Sequence, residues 1–208
     1  DSSCVVAART PLRAAFEASL GLRYVLQSDL NQRAMAYLVT DLKERIDWYE
    51  EMDPDTDAGR GFRRDMGVSE ATSVFPFPTP EACRSSAASL RSLLQREDFK
   101  RVSEEYDAVA TKRKRKRPPW YSLFGGPANL RELATQLGEG DNYLILYRTW
   151  SRTTHAADLY RQLTRGANGT ASVRVIRNSL GISTAYLHGC NVGVESARVV
   201  LEHYRSGE

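Results

Sequence analysis

The sequence predicts an all-α protein, a bundle of five to six helices with a long irregular loop at about 53–79. Three observations carry this. Apolar residues recur at steps of three and four over long stretches, which is the period of a helix. Glycine and proline gather between those stretches and punctuate them. There is no series of short alternating segments with hairpin turns, and no repeat with a period of ~20–50 residues. The 208 residues are 41% hydrophobic and 26% charged, ordinary values for a globular chain. Such a chain buries about 70% of its unfolded surface without a disulfide or metal, so a single helical domain over 1–208 is expected.

The first helix is expected over Arg9 to Gln27, with Leu12, Phe16 and Leu20 as its apolar stripe and Pro11 near its start, where proline is tolerated. The second runs from about Leu30 to Met52 on Met35, Leu38, Leu42, Ile46 and Tyr49. Asp29 or Asn31 is a candidate cap, and Asp53-Pro54 ends it. Asp, Gly, Thr and Arg then crowd residues 53–67, and alternating prolines follow at 76, 78 and 80. That composition reads as loop. A third helix starts at Thr79 or Pro80, breaks near Glu97-Asp98 and resumes through Phe99, Val102, Tyr106 and Val109. Pro118-Pro119 stop it. A connector over 112–128, basic and then aromatic, leads to a short helix from about Asn129 to Leu137, closed by Gly138. The fifth helix is expected from Asp141 or Asn142 to about Arg165, terminated by Gly166-Ala167-Asn168-Gly169. Val173–Ile176 reads as a short extended piece or a helical turn. The last helix covers about Ile182 to Tyr204.

Charge and cysteine content exclude several classes. Twenty-nine Lys and Arg against 26 Asp and Glu leave +3, too little by itself to imply nucleic-acid binding. The distribution matters more: Lys112, Arg113, Lys114, Arg115, Lys116 and Arg117 form six consecutive cations. Such a run is a phosphate-contacting strip, a sorting signal or a solvated linker. Cys4, Cys83 and Cys190 lie far apart with no metal-ligand spacing, and there are three histidines. No metal and no cofactor are expected, and the cysteines read as reduced buried thiols. No apolar run approaches ~18 residues, so no membrane helix is expected. Asp1–Ala8 carry no basic segment followed by an apolar core, so no intact secretory signal is expected. The expected location is cytoplasmic.

The fifth helix holds the candidate chemistry. Arg148 and His155 are about 20° apart around its axis and ~10.5 Å along it. Ser151 lies between them, Arg152 flanks the stripe, and Asp158 is one turn beyond His155. Most of the remaining circumference is apolar, so this polar stripe needs partners or a cavity. Arg13 and Glu17, at i,i+4 on the first helix, can supply them. Two readings remain open. In one the stripe is a phosphate-handling site, with His155 as general acid or base and Arg148 gripping phosphate. In the other it is a buried polar network that fixes helix register. His188 reads as a core or interface histidine, and His203 as a last-turn residue that meets the helix dipole.

An early Arg13–Glu17 pair is followed by a basic stretch leading to Trp120, then by Tyr143, Tyr147, Ser151 and His155 at four-residue steps. This order, over about residues 9–205, resembles a family of bacterial helical proteins catalogued as a domain of unknown function. The Arg148-x(6)-His155 spacing also resembles the Arg-x(4–6)-His motif of HEPN domains. Many of those are metal-independent ribonucleases in toxin–antitoxin and phage-defence systems, all-α and often dimeric. HEPN domains usually have a polar Asn, Asp or His after the Arg, where this chain has Thr149.

The resemblance implies a HEPN-like fold and a catalytic pair of Arg148 and His155, supported by Arg13, Glu17, Ser151, Arg152 and Asp158. It implies RNA as partner, guided by residues 112–117 and Trp120, and a homodimer through the fifth helix or a protein partner. The alternative is a non-catalytic helical interaction module whose Arg/Glu/His network is structural. No glycine-rich phosphate loop and no G-x-S-x-G elbow is present.

Overall fold

The structure, a computed structural model, describes residues 4–67, 78–114, 116–144, 163–165, 171–173 and 182–205. These form eight α-helices, one 3-10 turn and a two-stranded ribbon, so the chain is all-α. The helices are α1 (Cys4–Gln27), α2 (Leu30–Met52), α3 (Asp57–Met66), α4 (Pro80–Leu94) and α5 (Glu97–Arg113). After the 3-10 turn Trp120–Gly125 come α6 (Leu130–Gln136), the single turn α7 (Gly140–Asn142) and α8 (Ile182–Arg205). The chain divides into two compact units: a terminal unit of residues 1–30 with 127–208, and a central unit of residues 31–126.

In the central unit, α2, α4 and α5 close around Val39, Ile46, Leu90, Leu94, Val102 and Tyr106, with Leu123 of the 3-10 turn. Each leucine or valine so buried contributes roughly 1.5–3 kcal/mol. The α2 stripe differs from expectation at one position. Leu38 is 45% exposed, and its neighbour Val39 is fully buried. Two adjacent branched apolar residues sit ~100° apart on a helix, and periodicity alone does not decide between them.

The break between α4 and α5 falls at Gln95-Arg96. Thr79 caps α4, its hydroxyl accepting from the Ala82 N–H at 3.2 Å, with Pro80 at the first helical position. Glu97 and Asp98 occupy the first turn of α5, where carboxylates are favoured by the helix dipole.

The loop expected over 53–79 is corrected: residues 57–66 are helical. Local capping outweighs the two glycines inside. The Thr56 hydroxyl accepts from the Gly59 N–H at 2.9 Å, Asp57 lies in the first turn, and Arg63 and Arg64 lie in the last. Gly67, at φ 62, closes the helix with its N–H on the Arg63 and Arg64 carbonyls. Residues 68–77 lie outside the described residues.

In the terminal unit, Phe16, Leu20 and Tyr24 of α1 are buried at four-residue steps, with Leu133 and Ala134 of α6. Helix α1 begins at Cys4, so Pro11 is interior rather than near the start. Asn129 caps α6: its Oδ1 accepts from the Glu132 N–H at 3.0 Å, while Glu132 reaches back to the Ala128 N–H at 2.8 Å. Helix α8 packs along α1, and Ser196 Oγ donates to Ser19 Oγ at 3.0 Å. The helices come close at Gly189, where an added Cβ would stand 3.1 Å from Leu12 Cδ2.

The fifth helix expected to reach about Arg165 is also corrected. Leu163–Arg165 is a strand (β1), paired antiparallel with Ala171–Val173 (β2) in the register Leu163–Val173. Leu163, Thr164 and Val173 include residue types that suit a pleated ribbon, and residues 166–170 lie outside the described residues.

Candidate nucleic-acid interface

The six-residue basic run is not one strip. Lys112 and Arg113 form the last turn of α5, where cations meet the negative end of the helix dipole. Lys114 follows at φ 50, its N–H on the Ala110 and Thr111 carbonyls. All three are exposed, and none has an acidic partner among the described residues. Arg115 lies outside them. Beyond it the chain turns back onto α2. Arg117 donates from Nε to Asp47 at 3.0 Å and from Nη2 to Glu51 at 2.8 Å. Lys116 Nζ stands 3.8 and 3.7 Å from the same two carboxylates. The hydrogen bond to Asp47 raises the already high pKa of Arg117. Asp47 and Glu51 are i,i+4 on one face of α2, and that spacing is the sequence signal that marks them as a receptor for two cations. Pro118, fully buried, then fixes the exit.

The aromatic part of the connector is packed, not splayed. The Trp120 ring meets Tyr121 at 5.6 Å and Tyr37 of α2 at 5.6 Å, both edge to face. Trp120 is half-buried by these contacts, while Tyr37, which the sequence did not single out, is 54% exposed. Phe124, at φ 53, donates its N–H to Glu105 Oε1 at 2.9 Å and lies under the Arg101 guanidinium, 5.8 Å from ring centroid. The central unit therefore offers three free cations at the end of α5 and, on α2, a half-exposed tyrosine backed by Trp120.

Two cavities of the central unit hold charge that is internally met. One, about 390 Å³, lies among α2, α4 and α5, where Lys43 bonds both Asp107 oxygens at 2.8 and 2.9 Å and sits 5.1 Å over the Tyr106 ring. Burial, with Asp47 and Glu44 adding to it, pushes the Tyr106 hydroxyl up to about 12. Its contribution to stability is therefore complete below pH ~10, the unfolded value, and is lost as pH rises through about 12. An absorbance titration of phenolate should show one tyrosine ionising well after the exposed ones. A Tyr106→Phe variant that leaves that late step in place would contradict this.

The second cavity, about 700 Å³, has Arg84 spanning Asp53 at 3.4 Å, Asp55 at 2.7 Å and Glu81 at 3.3 Å. Burial, with Asp53 beside it, raises the Cys83 thiol above its ordinary value, which opposes thiolate reactivity. Cys190, expected to be buried, is exposed on α8. Among the described residues no group of three or more His, Cys, Asp or Glu is placed to hold a metal ion, and no helix is long and apolar enough to cross a membrane.

Arg13 Nε pairs with Glu17 Oε1 at 2.8 Å on α1, as the i,i+4 spacing implies. Arg148, Ser151, Arg152, His155 and Asp158 lie outside the described residues. The network expected between them and Arg13–Glu17 therefore lies outside them too. In the terminal unit the polar contact that the sequence did not signal is Arg23. It pairs with Glu139 and donates to the Leu137 carbonyl at 3.0 Å. Glu139 also accepts from Asn142 at 2.6 Å. His188 is half-buried beside these groups, and His203 is exposed in the last turn of α8.

No curated protein and no solved structure matches the chain. A family model does: it matches residues 1–170, and on that match the chain belongs to the family of unknown function DUF5677.

Proposed function

We propose that this protein binds single-stranded RNA through its central unit and cleaves it without a metal, as an effector of the toxin or phage-defence type. The observation that carries the binding is the divided basic run. Lys116 and Arg117 are tied to Asp47 and Glu51, and this fixes the connector. Lys112, Arg113 and Lys114 are left exposed for phosphates, and the paired rings of Tyr37 and Trp120 belong to the same unit. Cations that track a backbone, with rings that stack bases, are what a single strand needs.

The cleavage rests on the resemblance of Arg148-x(6)-His155 to HEPN ribonucleases. The 2′-oxygen bonds to the adjacent phosphorus and the bond to the 5′-oxygen breaks. A 2′,3′-cyclic phosphate and a 5′-hydroxyl result. His155 carries the proton between the two oxygens, and Arg148 steadies the phosphorane charge.

Labelled single-stranded RNA, with chelator and low salt, is the test. Wild-type protein should bind it and leave cyclic-phosphate ends. His155→Ala should keep the binding and slow cleavage by roughly 10²–10⁴-fold. RNA that is neither bound nor cut contradicts the proposal. RNA that is bound but never cut retains the binding and removes the catalysis. The second reading, a helical interaction module, is favoured by one observation: α8 carries large apolar residues on its exposed side.

A further inference from the structure

Helix α8 is apolar on two opposite sides, and among the described residues only one of them is packed. The side facing α1 carries Val192, Ser196 and Val199 with Gly189. Opposite it stands a stripe of Leu187, Cys190, Val194, Ala197, Leu201 and Tyr204, all exposed. The steps are three, four, three, four and three, the spacing of a helix–helix seam. Between Leu187 and Tyr204 the six stripe positions are uncharged. Arg198 and Arg205 border one edge of the stripe, four residues on from Val194 and Leu201, and Arg198 already holds Glu195 at 2.7 Å and Glu202 at 2.5 Å. A helix with apolar residues on both sides is ordinarily covered on both.

We propose that this stripe pairs two copies of the chain, α8 against α8, antiparallel about a two-fold axis between Val194 and Ala197. The stripe is complementary to itself in that direction. Leu187 meets the partner's Tyr204, Cys190 meets the partner's Leu201, and Val194 meets the partner's Ala197. The last two pairs set a larger side chain against a smaller one, which fills the seam. A parallel pair would set Ala197 on the partner's Ala197 and leave a gap.

The area is sufficient. Tyr186 and Tyr204 are 70% and 74% exposed, and Leu187, Val194 and Leu201 are 58%, 64% and 49% exposed. Together they offer on the order of 600 Å² per chain. With Cys190, Ala197 and the flanks, this approaches the ~800 Å² per partner of a standard interface. The proposal rests on α8 alone and is independent of RNA.

Sedimentation of the full chain over a concentration series tests it. The expected result is a monomer–dimer equilibrium in the micromolar range. Val194→Glu and Leu201→Glu should each weaken it by ~100-fold or more, with the helical circular dichroism unchanged, since both positions are exposed in the single chain. A second variant fixes the direction. In a chain with Cys4→Ser and Cys190→Ser, the pair Leu187→Cys with Tyr204→Cys should oxidise to a covalent dimer. Within one helix those positions are ~25 Å apart, beyond the ~7 Å reach of a disulfide. A monomer at every concentration up to ~200 µM, well above the affinity expected for such an area, overturns the proposal. So does a dimer indifferent to both glutamates, and a dimer that the cysteine pair fails to lock overturns the antiparallel register.

Discussion

Gly59→Ala is expected to destabilise the protein by about 2–4 kcal/mol, while Gly61→Ala, two residues on in the same helix, stabilises it by up to ~1 kcal/mol. A Cβ on Gly59 would stand 1.8 Å from the Asp53 carbonyl oxygen and 2.7 Å from its carbon. Both are backbone atoms where α2 ends, and they cannot turn aside as a side chain can. Nothing lies within 4 Å of a Cβ on Gly61, so there alanine only removes the helix penalty of glycine. The close approach also holds Thr56, which donates to the Glu50 carbonyl at 2.6 Å and caps α3. Urea unfolding of the two variants, followed in parallel, checks this. Equal midpoints would mean that α3 is not seated on the end of α2.

The triple variant Lys112→Ala, Arg113→Ala and Lys114→Ala is expected to lower affinity for single-stranded RNA by about 10–100-fold near ~0.1 M salt. The slope of log affinity against log salt should flatten by about 2, near 0.7 for each phosphate that the variant no longer neutralises. These residues are exposed and end α5 without supporting any buried contact, so the fold should stay intact. Replacing Arg117 instead removes the tie to Asp47 and Glu51. That change should shift stability by up to ~1 kcal/mol, as half-exposed pairs do, and alter the RNA salt slope little. Anisotropy titrations at four or five salt concentrations separate the two effects. A triple variant with wild-type slope would place the phosphate-binding cations elsewhere.

The helical class was legible because α1, α2, α4, α5 and α8 each repeat apolar residues over many turns. The ends were legible where a cap has its own chemistry: Thr79-Pro80, Asn129 with Glu132, and Gly138. What was not legible had two physical causes. Helix α3 has only Ala58, Phe62 and Met66 as an apolar stripe, a two-turn signal that two glycines and the surrounding polar residues mask, and its ends depend on Thr56, Gly67 and a close approach of Gly59 to α2. The ribbon residues 163–165 continue a helix-like stretch of sequence, and only their pairing with 171–173 makes them extended.

The site shows the same limit. Six consecutive cations read as one strip because sequence does not display which of them an i,i+4 acidic pair on another helix will take. Trp120 was identified from its place after Pro118-Pro119, whereas Tyr37 lies 83 residues earlier and is joined to it only by packing.

Ultraviolet cross-linking of single-stranded RNA, followed by peptide mapping, probes the central claim most directly. Aromatic rings that stack on bases are the groups that such cross-linking captures. Adducts are expected on Tyr37 and in the segment from Lys112 to Tyr121, reduced in the triple alanine variant. Adducts confined to other parts of the chain, or none with RNA that is demonstrably bound, would contradict it.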